Sequence, residues 1–448
     1  MQINIYKDLR FKPVQILVIG FAVVILMGAI LLTLPIASNE DVRTPFVDAL
    51  FTSTSAVCVT GLVTLDTGTY WSYFGKTVIL ILIQIGGLGF MSFATLISLL
   101  LGKKITLKER LVMQEAMNTC SLQGLVKLAR YVLLFTFTIE GIGALILSII
   151  FIPEHGLIKG IYFSIFHSVS AFCNAGFDLM GEFRSLTPYA ENPIIILTIA
   201  TLIVIGGLGF AVWYEIFNYR KVKKITLHSK FVIVVTAILI VVGAILMFIF
   251  EYNNPATINP MSVKGKILSS LFASITPRTA GFNSISTTDM TPAGRFLTII
   301  LMFIGGSPGS TAGGIKTATA GILIMTVISI IKGREETEVF ERRISKETIY
   351  KSLAIAVIGI TLVVTVSMIL TITEAGTSLE YIIYEATSAF GTVGLTLGLT
   401  TKLSIIGKTI IIFTMYCGRV GPLTIALALS RKHSNNTIRY PEDKILVG

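Results

Sequence analysis

Apolar residues in this chain come in long unbroken runs, without the alternation of a half-buried strand or the single stripe of a soluble helix. Runs of about 20 residues or more, the length a bilayer crossing needs, cover roughly 14–36, 77–101, 131–152, 193–217, 231–250, 296–331, 352–373 and 405–430. This pattern predicts an all-α polytopic membrane protein with eight transmembrane helices. The first run is too long for the apolar core of a leader, is closed by Pro35 and has no small-residue cleavage site after it, so it reads as a retained span. Between the first two runs, Pro45 opens a shorter apolar segment, 46–56. It is too short to span, and it leads into a glycine-centred stretch.

That stretch occurs four times: SAVCVTGL around Gly61, SAFCNAGF around Gly176, ITPRTAGF around Gly281 and SAFGTVGL around Gly394. Successive glycines lie 115, 105 and 113 residues apart, and an aromatic or apolar residue (Phe51, Phe166, Leu271, Tyr384) stands ten positions before each. A period of that length marks repeated structural units. Each unit reads as outer helix, re-entrant short helix with a glycine strand, and inner helix. Non-helical backbone at membrane depth is tolerated only where it is buried or lines a watery cavity. All four units start from the same face, so they form parallel helix–pore loop–helix repeats around a central pore. The boundaries expected are 1–124, 125–230, 231–350 and 351–448, the last including a cytoplasmic tail. No copy has an acidic residue in the five positions ending at its glycine, so the ligands on offer are backbone carbonyls, as in a cation selectivity filter. The candidate ion-binding residues are Val57, Cys58, Val59, Thr60 and Gly61; Phe172, Cys173, Asn174, Ala175 and Gly176; Pro277, Arg278, Thr279, Ala280 and Gly281; and Phe390, Gly391, Thr392, Val393 and Gly394. Only the last copy, TVG, is close to a potassium-channel filter, which predicts fewer well-formed ion sites and weaker rejection of sodium.

The inner helices have glycine signatures of their own. IGGLGF occurs at 85–90 and again at 205–210, with IGGSPG (304–309) and YCGRVGP (416–422) at the matching places. Small residues there allow close helix packing, and they also keep a vestibule open below the filter; both readings stand. The third inner run is the exception. Unbroken, 296–331 would be about 54 Å long, and its middle, 305–321, holds six glycines and a proline, poor helix material. It is expected to be a helix broken inside the membrane by a flexible loop. Within it, Gly309 to Thr317 has a superficial likeness to a phosphate-binding loop, but Ile315 separates Gly314 from Lys316 and no βαβ unit surrounds it. No catalytic triad or paired-carboxylate site stands out, and nothing supports an enzyme.

Composition agrees, with 53% hydrophobic and 14% charged residues and a mean hydropathy of +0.81. The net charge of +11 does not point to nucleic acid, because the basic residues gather at one set of span ends: Lys7, Arg10 and Lys12; Lys103, Lys104, Lys108 and Arg110; Arg220 to Lys230; Lys332 to Lys346; Arg431 and Lys432. The opposite loops are richer in acids (Asp66, Glu154, Asp178, Glu191, Glu251, Glu374). That asymmetry places both termini in the cytoplasm. The four cysteines form no framework, since Cys58 and Cys173 sit three residues before candidate filter glycines, Cys417 in a span and Cys120 in a cytoplasmic loop. The four histidines have no metal-ligand spacing. Ionisable residues at membrane depth are few and are functional candidates by default: Glu140, Lys316, Arg419 and Arg278. Arg419 and Lys316 either obstruct the cation path as a gate or pair with Glu140 to hold helices together. Arg278 is expected to brace the third filter strand from behind. An ion-coupled secondary transporter of another solute is the competing class; it needs coupling carboxylates at the midplane, where only Glu140 is on offer. A receptor or scaffold leaves the fourfold glycine segment unexplained.

TSTSAVCVTGL (52–62), TPRTAGF (276–282), GGSPGSTAGGIKT (305–317) and CGRVGP (417–422) carry a resemblance to the Ktr/Trk/HKT superfamily of potassium transporters, and within it to the KtrB-type membrane subunit, over almost the whole chain. Eight spans suit the Ktr type better than the longer Trk type. The resemblance implies a multi-pass bacterial plasma-membrane protein that transports potassium as a homodimer with one pore per subunit. It also implies a KtrA-type cytoplasmic regulatory ring that carries the nucleotide, with no cofactor on this chain. The intramembrane loop (Gly309, Thr311, Gly313, Gly314, Lys316, Thr317) would gate, with Arg419 as the gating arginine. In the family a filter glycine in all four repeats accompanies potassium selectivity, so Gly61 supports potassium. Sodium acts as an activator in many Ktr systems, and no residue here predicts it.

Overall fold

The computed structural model describes residues 13–89, 125–421 and 424–425. The far half of the first inner run, the basic cluster at 103–110, Cys120, and the basic residues near both ends of the chain lie outside the described residues. Within them, four long helices, Pro13–Thr33, Leu125–His155, Leu227–Glu251 and Lys346–Thr373, are each followed by a short one: Phe46–Val57, Leu157–Phe172, Val263–Ile275 and Leu379–Gly391. A glycine segment and a further helix come next in each case, beginning at Tyr73, Pro193, Pro292 and Ile405. The described sheet structure is one antiparallel pair, Glu338–Val339 with Arg342–Arg343.

The four long helices are those that are individually long and apolar enough to cross a bilayer. They are apolar all round, and their outward side chains, such as Met27 and Ile30 at 60% exposure, are suited to lipid rather than water. Hydroxyl N-caps start several helices: Thr226, Ser262 and Ser345 accept from the backbone N–H three residues on. Each long helix packs on the short helix that follows it. Each inner helix then packs on the short helix of the next unit, and the fourth packs on the first. The units therefore close into a ring around the glycine segments.

The inner runs differ from expectation. The third is broken as anticipated, into Pro292–Phe303 and Thr317–Ile331, but it is no exception. The first helix stops at Leu88 and the fourth at Val420, and the second gives way to a new helix, Phe210–Val222, bent by 94° from it. Gly89 (φ 77°), Gly209 (φ 93°) and Gly421 (φ 94°) stand at these breaks. The glycine at the end of each GGxG-like signature adopts a backbone that ends a helix and that residues with a β-carbon rarely adopt.

Carboxylates clamp helix starts at one end of the bundle, Glu251 and Glu374 within their own units and Glu191 across to the next. Glu251 accepts from Thr291 N (2.9 Å) and Oγ1 (2.7 Å), Glu374 from Ser404 N (3.1 Å) and Oγ (2.6 Å), and Glu191 from Ser262 N (3.2 Å) and Oγ (2.8 Å). Each acceptor is thus placed at the N-terminus of a helix, where negative charge is favoured. Glu374→Ala removes two such bonds from a buried site and is expected to cost about 1–3 kcal/mol. The check is the thermal midpoint of the detergent-solubilised protein, and an unchanged midpoint would contradict the clamp.

Candidate functional site

Each short helix ends where the chain turns back on itself. Thr60 N donates to Ser55 O (2.8 Å), Ala175 N to Ser170 O (2.8 Å), Ala280 N to Thr276 O (2.9 Å) and Val393 N to Ser388 O (2.9 Å). Hydroxyls add a second tie: Gly61 N donates to Ser55 Oγ (3.0 Å) and Gly394 N to Ser388 Oγ (3.1 Å), while Ser170 Oγ donates to Phe177 O (2.7 Å) and Thr276 Oγ1 to Phe282 O. The amides of the turns are thereby used up behind the strands. Positive φ recurs at the residue two before each glycine (Val59, Asn174, Thr279, Thr392) and at the glycine itself, but not between them. That alternation turns successive carbonyls toward the same side.

The four glycines meet around one axis. A β-carbon on Gly61 would lie 2.6 Å from Ala175 O and 3.1 Å from Gly176 Cα, and one on Gly176 would lie 2.7 Å from Ala280 O and 2.8 Å from Gly281 Cα. One on Gly281 would meet Val393 O at 2.6 Å, and one on Gly394 would run into Thr60 O and meet Gly61 Cα at 2.9 Å. The circuit is closed, and no side chain fits between neighbours.

The sequence-derived candidates do not all sit alike. Thr60, Ala175, Ala280, Val393 and the four glycines form the ring. The carbonyls of Val57, Phe172 and Phe390 abut Gly86, Gly206 and Gly418 of the inner helices, so these residues belong to the packing behind the ring. The inner-helix glycines accordingly serve close packing. Cys58, Cys173 and Gly391 are buried with them. Asn174 hydrogen-bonds Thr279 Oγ1 across two copies at 3.3 Å, and the hydroxyls of Thr60 and Thr392 are buried with no hydrogen-bond partner. Pro277 lines a small cavity with Thr276 and Ser284. Arg278 turns toward the third long helix, where Nη2 lies 3.5 Å from Thr236 Oγ1. Beyond Gly176, burial pushes the Asp178 carboxyl up to about 7 against the opposing bond from Met180 N; nearby Asp66 adds to the upward shift.

The loop joining Phe303 to Thr317 lies directly beneath the ring. Its own ends are pinned together by Gly305 N to Ile315 O (2.8 Å) and Thr317 N to Gly306 O (2.9 Å), with the Ser307 and Thr317 hydroxyls 3.1 Å apart. It docks on the broken second inner helix: Ser307 N donates to Gly207 O (2.9 Å), Thr311 N to Gly206 O (3.3 Å), and Phe210 N to Gly309 O (3.0 Å). Carbonyls at a helix end have no intrahelical partner, so the break supplies the acceptors that hold the loop. Thr311 Oγ1 also donates to Phe172 O (3.3 Å). A β-carbon on Gly313 would meet the Thr392 side chain, and one on Gly314 would lie 3.2 Å from Gly391 Cα.

Arg419 locks this arrangement. Its guanidinium donates to Thr311 O in the loop and to Gly86 O in the last turn of the first inner helix, with Gly87 O 3.4 Å away. Lys316 Nζ donates to Ala312 O and reaches Gly313 O at 3.4 Å. Neither cation pairs with Glu140. That carboxylate accepts from Gln84 Nε2 (3.1 and 3.3 Å) and lies 3.8 Å from Cys173 Sγ. The ion-pair alternative fails because the guanidinium is held by the carbonyls of Thr311 and Gly86 and the carboxylate by Gln84. Sequence reasoning missed Gln84 and the break in the second inner helix, although the glycines of its IGGLGF carried the signal for the latter.

A closed ring of short helices and glycine strands inside an apolar helical shell defines a membrane transport fold. Residues 8–440 match the TrkH family of cation transport proteins, and the chain belongs to that family. It is a multi-pass cation transport protein and not an enzyme. It is 47% identical to the potassium/sodium uptake protein NtpJ of Enterococcus hirae, over 98% of each chain. It is 44% identical to the Ktr system potassium uptake protein B of Bacillus subtilis, over 99% of each. Its fold matches the crystal structure of the potassium transporter TrkH from Vibrio parahaemolyticus with a TM-score of 0.71 at 18% identity, covering 95% of this chain and 86% of that one.

Gly209→Ala places a β-carbon 2.7 Å from Pro308 O in a residue at φ 93°. The expected cost is about 1–3 kcal/mol, seen as a lower melting midpoint and faster proteolysis of the 305–316 loop. Equal melting and proteolysis in variant and parent would show that the loop does not depend on this contact.

Proposed function

We propose that this chain is the potassium-translocating membrane subunit of a bacterial potassium uptake system, with eight transmembrane spans in four parallel repeats (1–124, 125–230, 231–350, 351–448) around one pore. The single observation that supports this most is the closed glycine ring. Its carbonyls stand in for the hydration shell of a dehydrated cation. The C-terminal ends of all four short helices converge on it, and helix C-termini carry partial negative charge. The names of the relatives point to potassium as the transported ion, and that of the Enterococcus hirae protein adds sodium. Both termini lie in the cytoplasm on this reading, with the carboxylate-clamped end of the bundle outside.

The loop at 305–317 is the gate in this scheme. It crosses the path beneath the ring, and Gly309, Gly313 and Gly314 let it lie flat against the neighbouring backbone. Arg419 holds it shut and adds a positive charge that opposes cation passage. The chain works as a homodimer on a cytoplasmic KtrA-type ring whose bound nucleotide drives opening; the Ktr-system relative supports a multi-subunit assembly. Sodium acts as an activator.

Expression of the chain with a cognate regulatory subunit is expected to restore growth of uptake-deficient bacteria at limiting potassium. Gly61→Ser is expected to lower the rubidium-to-sodium uptake ratio, because it puts a side chain where only backbone fits. No growth rescue by a membrane-inserted protein would overturn the function, and an unchanged ratio would remove Gly61 from the filter.

Arg419→Ala is expected to raise basal rubidium uptake at normal membrane abundance, with Arg419→Lys keeping much of the barrier. Uptake that stays at or below the parent level in a well-inserted Arg419→Ala protein argues that the residue only packs the loop.

A further inference from the structure

The position nine residues before each ring glycine lies on a short helix behind its strand, and the four copies carry Thr52, His167, Phe272 and Glu385. All four are fully buried. The Thr52 hydroxyl has no hydrogen-bond partner, and phenylalanine has no polar group to offer. His167 and Glu385 behave differently, for both reach past the ring to the segment that leaves it.

Glu385 accepts from Thr396 Oγ1 at 2.7 Å and from Thr400 Oγ1, two and six residues beyond Gly394. Thr396 is itself a junction: its Oγ1 accepts from Gly398 N (3.0 Å), and its carbonyl accepts from Thr287 Oγ1 of the third unit (2.7 Å). In the second unit, His167 Nδ1 lies 2.7 Å from Phe163 O. A carbonyl oxygen only accepts, so Nδ1 carries the proton and Nε2 is left with its lone pair. Nε2 takes the Leu179 N–H at 3.3 Å, three residues beyond Gly176. Gly61 and Gly281 both neighbour Gly176, and both neighbour Gly394, so the second and fourth copies face each other across the ring.

We propose that His167 and Glu385 are positioning residues that hold opposite sides of the ring's outer end at a fixed separation, and so set its discrimination between potassium and sodium; this rests on reading the ring as the filter. A ring of carbonyls selects ions only while its oxygens are kept in place, to within about 0.5 Å for a preorganised site. Glycine-rich strands have no side chains to do that for themselves. In the first and third copies the −9 side chain makes no such tie, so this constraint is two-sided: all four strands are tied close to their glycines, and only the second and fourth carry a further tie from the −9 position.

The test is the ratio of rubidium to sodium uptake in cells expressing the full chain with its cognate regulatory subunit, normalised to membrane abundance, with Gly61→Ser as a control on the filter itself. Glu385→Val and His167→Leu are expected to lower the ratio by about tenfold, the scale of one lost hydrogen bond to a charged or strongly polar group. Thr396→Val, a change at a half-buried turn, is expected to lower it less while leaving abundance intact, and it carries the test if Glu385→Val fails to insert. His167→Gln, whose amide oxygen can accept from Leu179 N, is expected to restore most of the ratio. Unchanged ratios in His167→Leu and Thr396→Val, with a changed ratio in Gly61→Ser, overturn the positioning role. Equal loss in His167→Leu and His167→Gln overturns it too, since it assigns the effect to general damage. An unchanged ratio in Gly61→Ser removes the filter reading instead.

Discussion

The structure depends on one close approach: four glycine α-carbons and the carbonyl oxygens of their neighbours share a ring too tight for a single β-carbon. Strands meeting this way cannot be held by side-chain packing at the point of contact. What fixes them comes from behind, through the backbone bonds to the short helices, the hydroxyls of Ser55, Ser170, Thr276 and Ser388, and the contacts of His167 and Glu385 beyond the glycines. The short helices are wedged in turn between a long helix of their own unit and the inner helix of the previous one. Buried polar groups in a low-dielectric interior are costly unless paired, so this network ties the ring geometry to the stability of the whole bundle.

The same economy governs the loop beneath the ring. Breaking a helix inside a membrane exposes carbonyls that need partners, and here the ends of the first two inner helices meet donors. The second inner helix ends in Gly206 and Gly207, which take the N–H groups of Thr311 and Ser307. The last turn of the first holds Gly86 and Gly87, whose carbonyls face the Arg419 guanidinium. A cation held by backbone carbonyls of a loop and a helix end rather than by a carboxylate is bound by partial charges alone. Releasing it strands no buried anion, which suits a contact that has to open and close. Glu140, with Gln84 as its partner, is left out of that exchange.

Much of this was legible in the chain itself. The apolar runs determined the membrane class, the fourfold glycine segment determined the repeat and its backbone-lined character, and the glycine-rich middle of the third inner run determined the broken helix there. These are local properties, since a run length, a missing β-carbon and a lack of helix propensity act wherever the segment ends up. Tertiary structure decided which groups meet. Arg419 and Glu140 were equally available to each other on paper, and only the fold shows the arginine on Thr311 and Gly86 with the carboxylate on Gln84. Val57, Phe172 and Phe390 looked like ring residues by register, yet their carbonyls pack on inner-helix glycines. His167 read as one of four scattered histidines until the closed ring set it opposite Glu385. Such pairings arise between residues far apart along the chain, where the ring closure, and not any local preference, fixes the distance.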